Sequence, residues 1–248
     1  MPPSPWIVHR EERPGAALRL YCFHHAGGAA NAFRTWSDRI PASIEICPVQ
    51  LPGHSTRMGE PLMRRTGPLA EAIVNGLLPE LTRPFAFFGH SVGSLVAFEV
   101  ARALRRRHAP LPKHLFVAAR IPPHVAPRHT SAHKLVDREL VDLIRDRYGG
   151  IPDALLNAPE LLEMMLPILR ADLELLETYD YRPEAPLPFP ITAFGGTRDH
   201  TVTEGELDSW RIETSASFAR RMFDGDHFFV HTRHVGFAEA LAPLLSAL

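Results

Sequence analysis

Cysteine is nearly absent: Cys22 and Cys47 are the only two in the chain, and both lie inside apolar runs. That excludes a small disulfide-stapled scaffold and points to buried thiols in a reducing compartment, so a cytoplasmic protein is expected. Charge of one sign is lacking too. Lys and Arg number 27 against 28 Asp and Glu, a net charge of -1, so no field favours nucleic acid or an anionic membrane. No apolar stretch reaches the ~18 residues of a membrane helix. The start, Met1-Pro2-Pro3-Ser4-Pro5-Trp6, lacks the basic-then-apolar pattern of an export signal. Despite 14 histidines, neither H-E-x-x-H nor C-x-x-C occurs, and no metal or bound cofactor is expected.

What is present suits one α/β domain over residues 1–248, with 45% apolar residues to build a core. Its most informative stretch is 85–102. An apolar run at 85–88 reads as a buried strand, Gly89-His90-Ser91-Val92-Gly93 fits G-x-S-x-G, and Leu95, Phe98, Val100 and Ala101 recur at roughly helical spacing. A serine on a sharp strand-to-helix turn presents its hydroxyl at the C-terminal edge of a sheet, and the amide of Val92 then points to where an oxyanion would form.

Around this unit, strands are expected at 18–23, 44–49, 115–119, 191–194 and 218–223. Helices are expected at 31–40, carrying Phe33 and Trp36, at 69–78, ended by Pro79, and at 235–245. Alternating strands and helices imply a mostly parallel sheet covered on both faces. The small residues of His25-Ala26-Gly27-Gly28 follow the first strand, and the amide of Ala26 is the candidate second oxyanion donor. Between about 135 and 179 only helical patterns occur, with Pro167 as an expected kink. A helical lid insertion is therefore assigned to 125–182, with Met164 and Met165 as candidate lining.

A nucleophilic serine needs a base, and the base needs a carboxylate to hold its tautomer. Ser91, Asp199 and His227 follow the serine–acid–histidine order of a nucleophile-elbow fold, each in a loop after an expected strand. His90, His231 and His234 compete for the base, and Asp208, Asp224 and Asp226 for the acid.

At these residues the chain resembles a type II thioesterase, an α/β-hydrolase found beside polyketide synthases and nonribosomal peptide synthetases. The resemblance runs nearly end to end. It rests on His25-Ala26-Gly27-Gly28, Leu51-Pro52-Gly53, the Ser91 motif, Pro159-Glu160-Leu161-Leu162, Leu169-Arg170-Ala171-Asp172, Glu177-Thr178-Tyr179, Phe194-Gly195-Gly196 with Asp199, Trp210, and His227-Phe228-Phe229. It departs from the family pattern at His24, commonly proline, at His54-Ser55, commonly Arg-Glu, and at Asp226, often glycine. The resemblance implies hydrolysis of stalled or mis-primed acyl groups from the phosphopantetheine arm of acyl or peptidyl carrier proteins. An esterase or acyltransferase on the same three residues, or a non-catalytic partner of a synthase, are the alternatives. Arg64, Arg65 and Arg105 are candidate contacts for an acidic carrier.

Overall fold

Six short apolar stretches pair into one parallel sheet in the computed structural model, which describes residues 4–126, 131–149, 158–232 and 234–248. The strands are β1 (Leu18–Phe23), β2 (Ile44–Val49), β3 (Phe85–His90), β4 (Leu115–Ala118), β5 (Ile191–Gly196) and β6 (Phe218–Phe223). Their order is β2-β1-β3-β4-β5-β6, and every neighbouring pair is parallel. The first five strands are buried along their whole length, while edge strand β6 is half-exposed.

Side chains alternate between the two faces of a strand, and the core divides accordingly. Tyr21, Phe23, Cys47, Phe85 and Phe87 face the helices α1 (Thr66–Leu77) and α2 (Val92–Arg106). Leu20, Cys22, Ile46, Ala86 and Phe88 pack against Phe33, Trp36 and the closing helix. Cys22 and Cys47 are thus buried free thiols on opposite faces of the sheet.

The segment expected as a helix over 31–40 is a 3₁₀ helix, Ala30–Asp38. Three residues per turn eclipse positions three apart, so Ala30, Phe33 and Trp36 form one fully buried line with Phe33 and Trp36 edge to face at 5.1 Å. Strands β3 and β5 run on through Gly89-His90 and Gly195-Gly196 because neighbouring strands supply ladder partners, Phe23 for Gly89 and Met222 for Gly195. Apolarity alone does not reveal that pairing.

Between β4 and β5 lie α3 (Asp137–Tyr148) and α4 (Pro159–Glu177). Residues 127–130 and 150–157 of the expected insertion lie outside the described residues. Leu140, Ile144, Leu166 and Leu173 give these helices a small core of their own. Pro167 is accommodated inside α4. Glu177 fastens the entry to α3, accepting the Ala132 and His133 N–H groups and His133 Nδ1. Tyr179 donates to Glu99 on α2 at 2.7 Å, tying the end of the insertion to the sheet layer. The chain closes with α5 (Glu204–Asp208), α6 (Phe229–Thr232) and α7 (His234–Ser246). No helix among the described residues is long and apolar enough to cross a membrane.

Candidate active site

Ser91 stands alone between β3 and α2 with φ 53° and ψ -115°, a conformation that costs a non-glycine residue roughly 1–3 kcal/mol. The surroundings enforce it. The Ser91 N–H donates to Ala118 O at 2.8 Å, and Ser94 Oγ donates to Gly89 O at 2.8 Å while accepting the Ala118 N–H at 3.1 Å. The two glycines of the motif are steric necessities. A Cβ at Gly89 would lie 2.3 Å from Gly93 O, and one at Gly93 would lie 2.2 Å from Phe23 O. The sharp turn therefore exists only where β1, β3 and α2 meet without side chains between them.

The parallel sheet brings the loops after β3, β5 and β6 to one edge. Ser91 Oγ lies 3.0 Å from His227 Nε2, and His227 Nδ1 lies 2.9 Å from Asp199 Oδ2. Asp199 Oδ1 accepts the Thr201 N–H at 2.8 Å and the Thr201 hydroxyl at 2.7 Å. Burial alone would raise the Asp199 pKa, but the hydrogen bonds and charge of His227 and the Thr201 donors outweigh it and hold the carboxyl below its usual range. An ionised Asp199 requires Nδ1–H on His227, which leaves Nε2 bare to accept the serine proton. All three side chains are buried.

The competing residues are committed elsewhere. Asp208 pairs with Arg220 and Asp224 with Arg198. Exposed Asp226 accepts the Phe228 N–H, so its carboxylate serves the turn before α6. His90 and His231 face each other behind the serine. The side chain of His234 lies outside the described residues.

The loop carrying Ala26 is clamped. The Gly27 N–H donates to Asp172 Oδ2 at 2.8 Å, and His54 Nε2 reaches the same oxygen at 3.0 Å. His54 Nδ1 lies 2.9 Å from Pro52 O. Both ring nitrogens face acceptors, so this histidine donates from both and is an imidazolium. Burial would lower its pKa, but the hydrogen bond to Asp172 and that carboxylate's charge raise it above the usual value. Its neighbour His24, buried and 5.0 Å away ring to ring, is held neutral with a pKa of about 4 by burial and by the His54 charge. A raised folded-state pKa contributes stability that is complete below the unfolded value, about 6.5, and is lost as pH rises through the folded value. His54→Ala is therefore expected to lower Tm more at about pH 6 than at about pH 9. Equal losses at both pH values would show that the pair carries no charge-dependent stabilisation.

Above Ser91 and His227 is an apolar cavity of about 740 Å³, part of it open to solvent. Its floor is Ala26, Gly27, Ser91 and His227, and its far wall is Ile144, Tyr148, Met165 and Leu169 from the insertion. Met165 lines it as the sequence suggests, whereas Met164 does not. One residue further along a helix turns a side chain by ~100°, and Met164 is 52% exposed on the outer face. Arg64 and Arg65 pair with Glu174, and Arg105 with Glu184, so each of these candidate carrier contacts already has an acidic partner within the chain.

Sequence reasoning assigned no role to Thr201, Ser94, Tyr148 or Asp172. Tyr148 packs edge-on against His227 at 4.8 Å between ring centroids, an approach across the insertion that nothing local encodes. Asp172 carries a faint signal, as an acid within the apolar stripe of α4, where it is 1% exposed. Its partners lie 118 and 145 residues away.

A family profile described as a thioesterase domain matches residues 18–245. The chain is 41% identical to linear gramicidin dehydrogenase LgrE of Brevibacillus parabrevis over 93% of this chain and 88% of that one. It is 40% identical to thioesterase PikA5 of Streptomyces venezuelae, over 91% and 80% of the two chains. Among solved structures, the RedJ thioesterase of prodiginine biosynthesis in Streptomyces coelicolor superposes with a TM-score of 0.88 at 41% identity, covering 96% of this chain and 92% of that one.

Proposed function

This chain belongs to the thioesterase family, as a type II thioesterase on the α/β-hydrolase fold, and we propose that it clears acyl groups from the phosphopantetheine thiol of carrier proteins, releasing stalled or mis-primed units in polyketide and nonribosomal peptide assembly. The observation that carries the reading is the continuous hydrogen-bond chain from Ser91 through His227 to Asp199, opening into an apolar cavity. An apolar wall suits an acyl chain, and the buried serine–histidine pair suits a carbonyl delivered on a long, thin arm.

In this mechanism His227 Nε2 takes the proton as Ser91 Oγ attacks the thioester carbonyl. The developing oxyanion faces the N–H groups of Val92 and Ala26. Val92 is the first residue of α2, and a helix's first N–H groups have no carbonyl a turn earlier to bond. The Asp172 clamp holds the neighbouring Gly27 and so positions the Ala26 segment. Collapse of the intermediate expels the pantetheine sulfur, which leaves with the proton from His227. Water then gives a proton to His227 and attacks the acyl-serine, releasing the acid and restoring Ser91. The insertion acts as a lid, opening to admit the arm. The two free thiols support a cytoplasmic setting.

The test is mass spectrometry of an acyl-loaded carrier protein incubated with the enzyme, alongside an oxygen ester of the same acid. Fast loss from the carrier with a poor ester supports the proposal. Rapid ester cleavage with an untouched carrier overturns it in favour of an esterase. The cavity makes a further demand. Leu169 lines it opposite Gly27, so Leu169→Trp is expected to shorten the acyl chain accepted. At about 0.8 kcal/mol per methylene left outside, kcat/KM for an octanoyl carrier should fall on the order of 10²-fold relative to an acetyl carrier. An unchanged ratio would place the chain elsewhere.

A further inference from the structure

Behind the serine, three imidazoles face one another. His90 Nδ1 lies 3.2 Å from His231 Nε2, and that same Nε2 lies 3.1 Å from His25 Nδ1. One nitrogen from each ring lies within 4.8 Å of the other two. Ring centroids are 4.8, 5.0 and 5.2 Å apart, with interplanar angles of 57°, 64° and 63° for His25–His231, His90–His231 and His25–His90. This is a near-regular three-bladed arrangement. An ion bound at about 2.0–2.1 Å to three imidazole nitrogens sets those rings at a centroid spacing of roughly 5 Å.

The proton count bears on what holds the rings together. His90 Nε2 lies 2.9 Å from the backbone carbonyl of His227. A carbonyl only accepts, so Nε2 carries the proton and a neutral His90 leaves Nδ1 bare. With one proton on His231 Nε2, only one of the two short contacts can be a linear hydrogen bond. With none, Nε2 and His90 Nδ1 meet lone pair to lone pair. A cation between the rings satisfies all three nitrogens at once when the widest pair draws in to the roughly 4.2 Å that two bonds of 2.0–2.1 Å can span. The His90 bond to the His227 carbonyl is the kind of outer support that orients a metal-bound imidazole. His25 and His231 are half-buried, which leaves a route in, and a three-nitrogen set keeps a fourth coordination position open.

We propose that Nδ1 of His25, Nδ1 of His90 and Nε2 of His231 form a binding site for one first-row transition-metal ion of the kind neutral imidazole prefers, such as zinc or cobalt. The site lies outside the Ser91–His227–Asp199 chain and does not depend on the acyl-carrier reading. Through His90 it braces the segment that carries His227, and through His25 the loop that carries Ala26. No metal motif in the sequence announces it, because the ligands come from three separate elements: His25 in the loop after β1, His90 at the end of β3 and His231 in α6.

The test is titration of untagged, chelator-stripped protein with Co²⁺, read by visible absorption. The expected result is a set of d–d bands of a low-coordinate site that saturates at one equivalent and is erased by excess Zn²⁺. X-ray absorption of the zinc form should count three imidazole nitrogens at about 2.0–2.1 Å. His231→Leu should weaken cobalt binding by no less than the roughly 10–100-fold that losing a mere supporting residue costs. His231→Cys keeps a ligand, so it should retain the ion and add thiolate-to-cobalt charge transfer. No bands up to about 1 mM Co²⁺, or a spectrum that neither substitution at 231 alters, would overturn the proposal. In the second case the ion would sit on other histidines.

Discussion

Ser91→Ala is expected to lower kcat for acyl-carrier hydrolysis by on the order of 10⁶-fold, the scale on which removal of a serine nucleophile disables a serine–histidine–acid enzyme. The size follows from the site. Ser91 Oγ is the only hydroxyl within hydrogen-bond reach of His227 Nε2 among the described residues, so no neighbour inherits the role. The Thr201 hydroxyl meets the other ring nitrogen. Stability should hardly change, because alanine inherits the same positive φ and the bonds that enforce it run from the Ser91 backbone and from Ser94. The pair of readouts is therefore turnover by mass spectrometry and Tm. Residual turnover within about a hundredfold of the unaltered enzyme, with Tm preserved, would move the nucleophile elsewhere.

Asp199→Asn is expected to cost on the order of 10⁴-fold in kcat with the fold intact, as when the tautomer-setting acid of such a triad is neutralised. Asp199 Oδ1 accepts two donors from Thr201. The asparagine carbonyl will keep those bonds, which turns its NH₂ group toward His227 Nδ1. The ring must then accept at Nδ1 and carry its proton on Nε2, where it faces Ser91 as a donor and cannot act as a base. A loss below about tenfold would assign the orienting role to a different acid. Thr201 matters to this outcome as a positioning residue, since it decides which way the amide points.

Much of the scaffold is legible locally. The strands at 18–23, 44–49 and 218–223 coincide with the observed ones, because short apolar or alternating runs bounded by turn residues carry their own signal. The 3₁₀ form of Ala30–Asp38 is not legible. The spacing of Ala30, Phe33 and Trp36 fits a 3₁₀ helix as well as an α-helix, and burial of that line against Phe88 decides the matter. In α4 the apolar stripe was visible, but which of two adjacent methionines faces the cavity depends on how the helix is rolled against α3 and the sheet.

The sequence by itself pointed to a parallel α/β sheet, a serine on a sharp turn between β3 and α2, and a serine–acid–histidine order, because each strand and the loop after it carries its own local signal. Tertiary structure alone decided that Asp172 clamps Gly27 through an oxygen shared with His54, and that three histidines from distant segments converge behind the serine. The reason is topological. A parallel sheet delivers the C-terminal end of every strand to one edge, so loops more than a hundred residues apart become neighbours. Which atoms then meet is set by strand order and packing across that edge, and no local pattern encodes it.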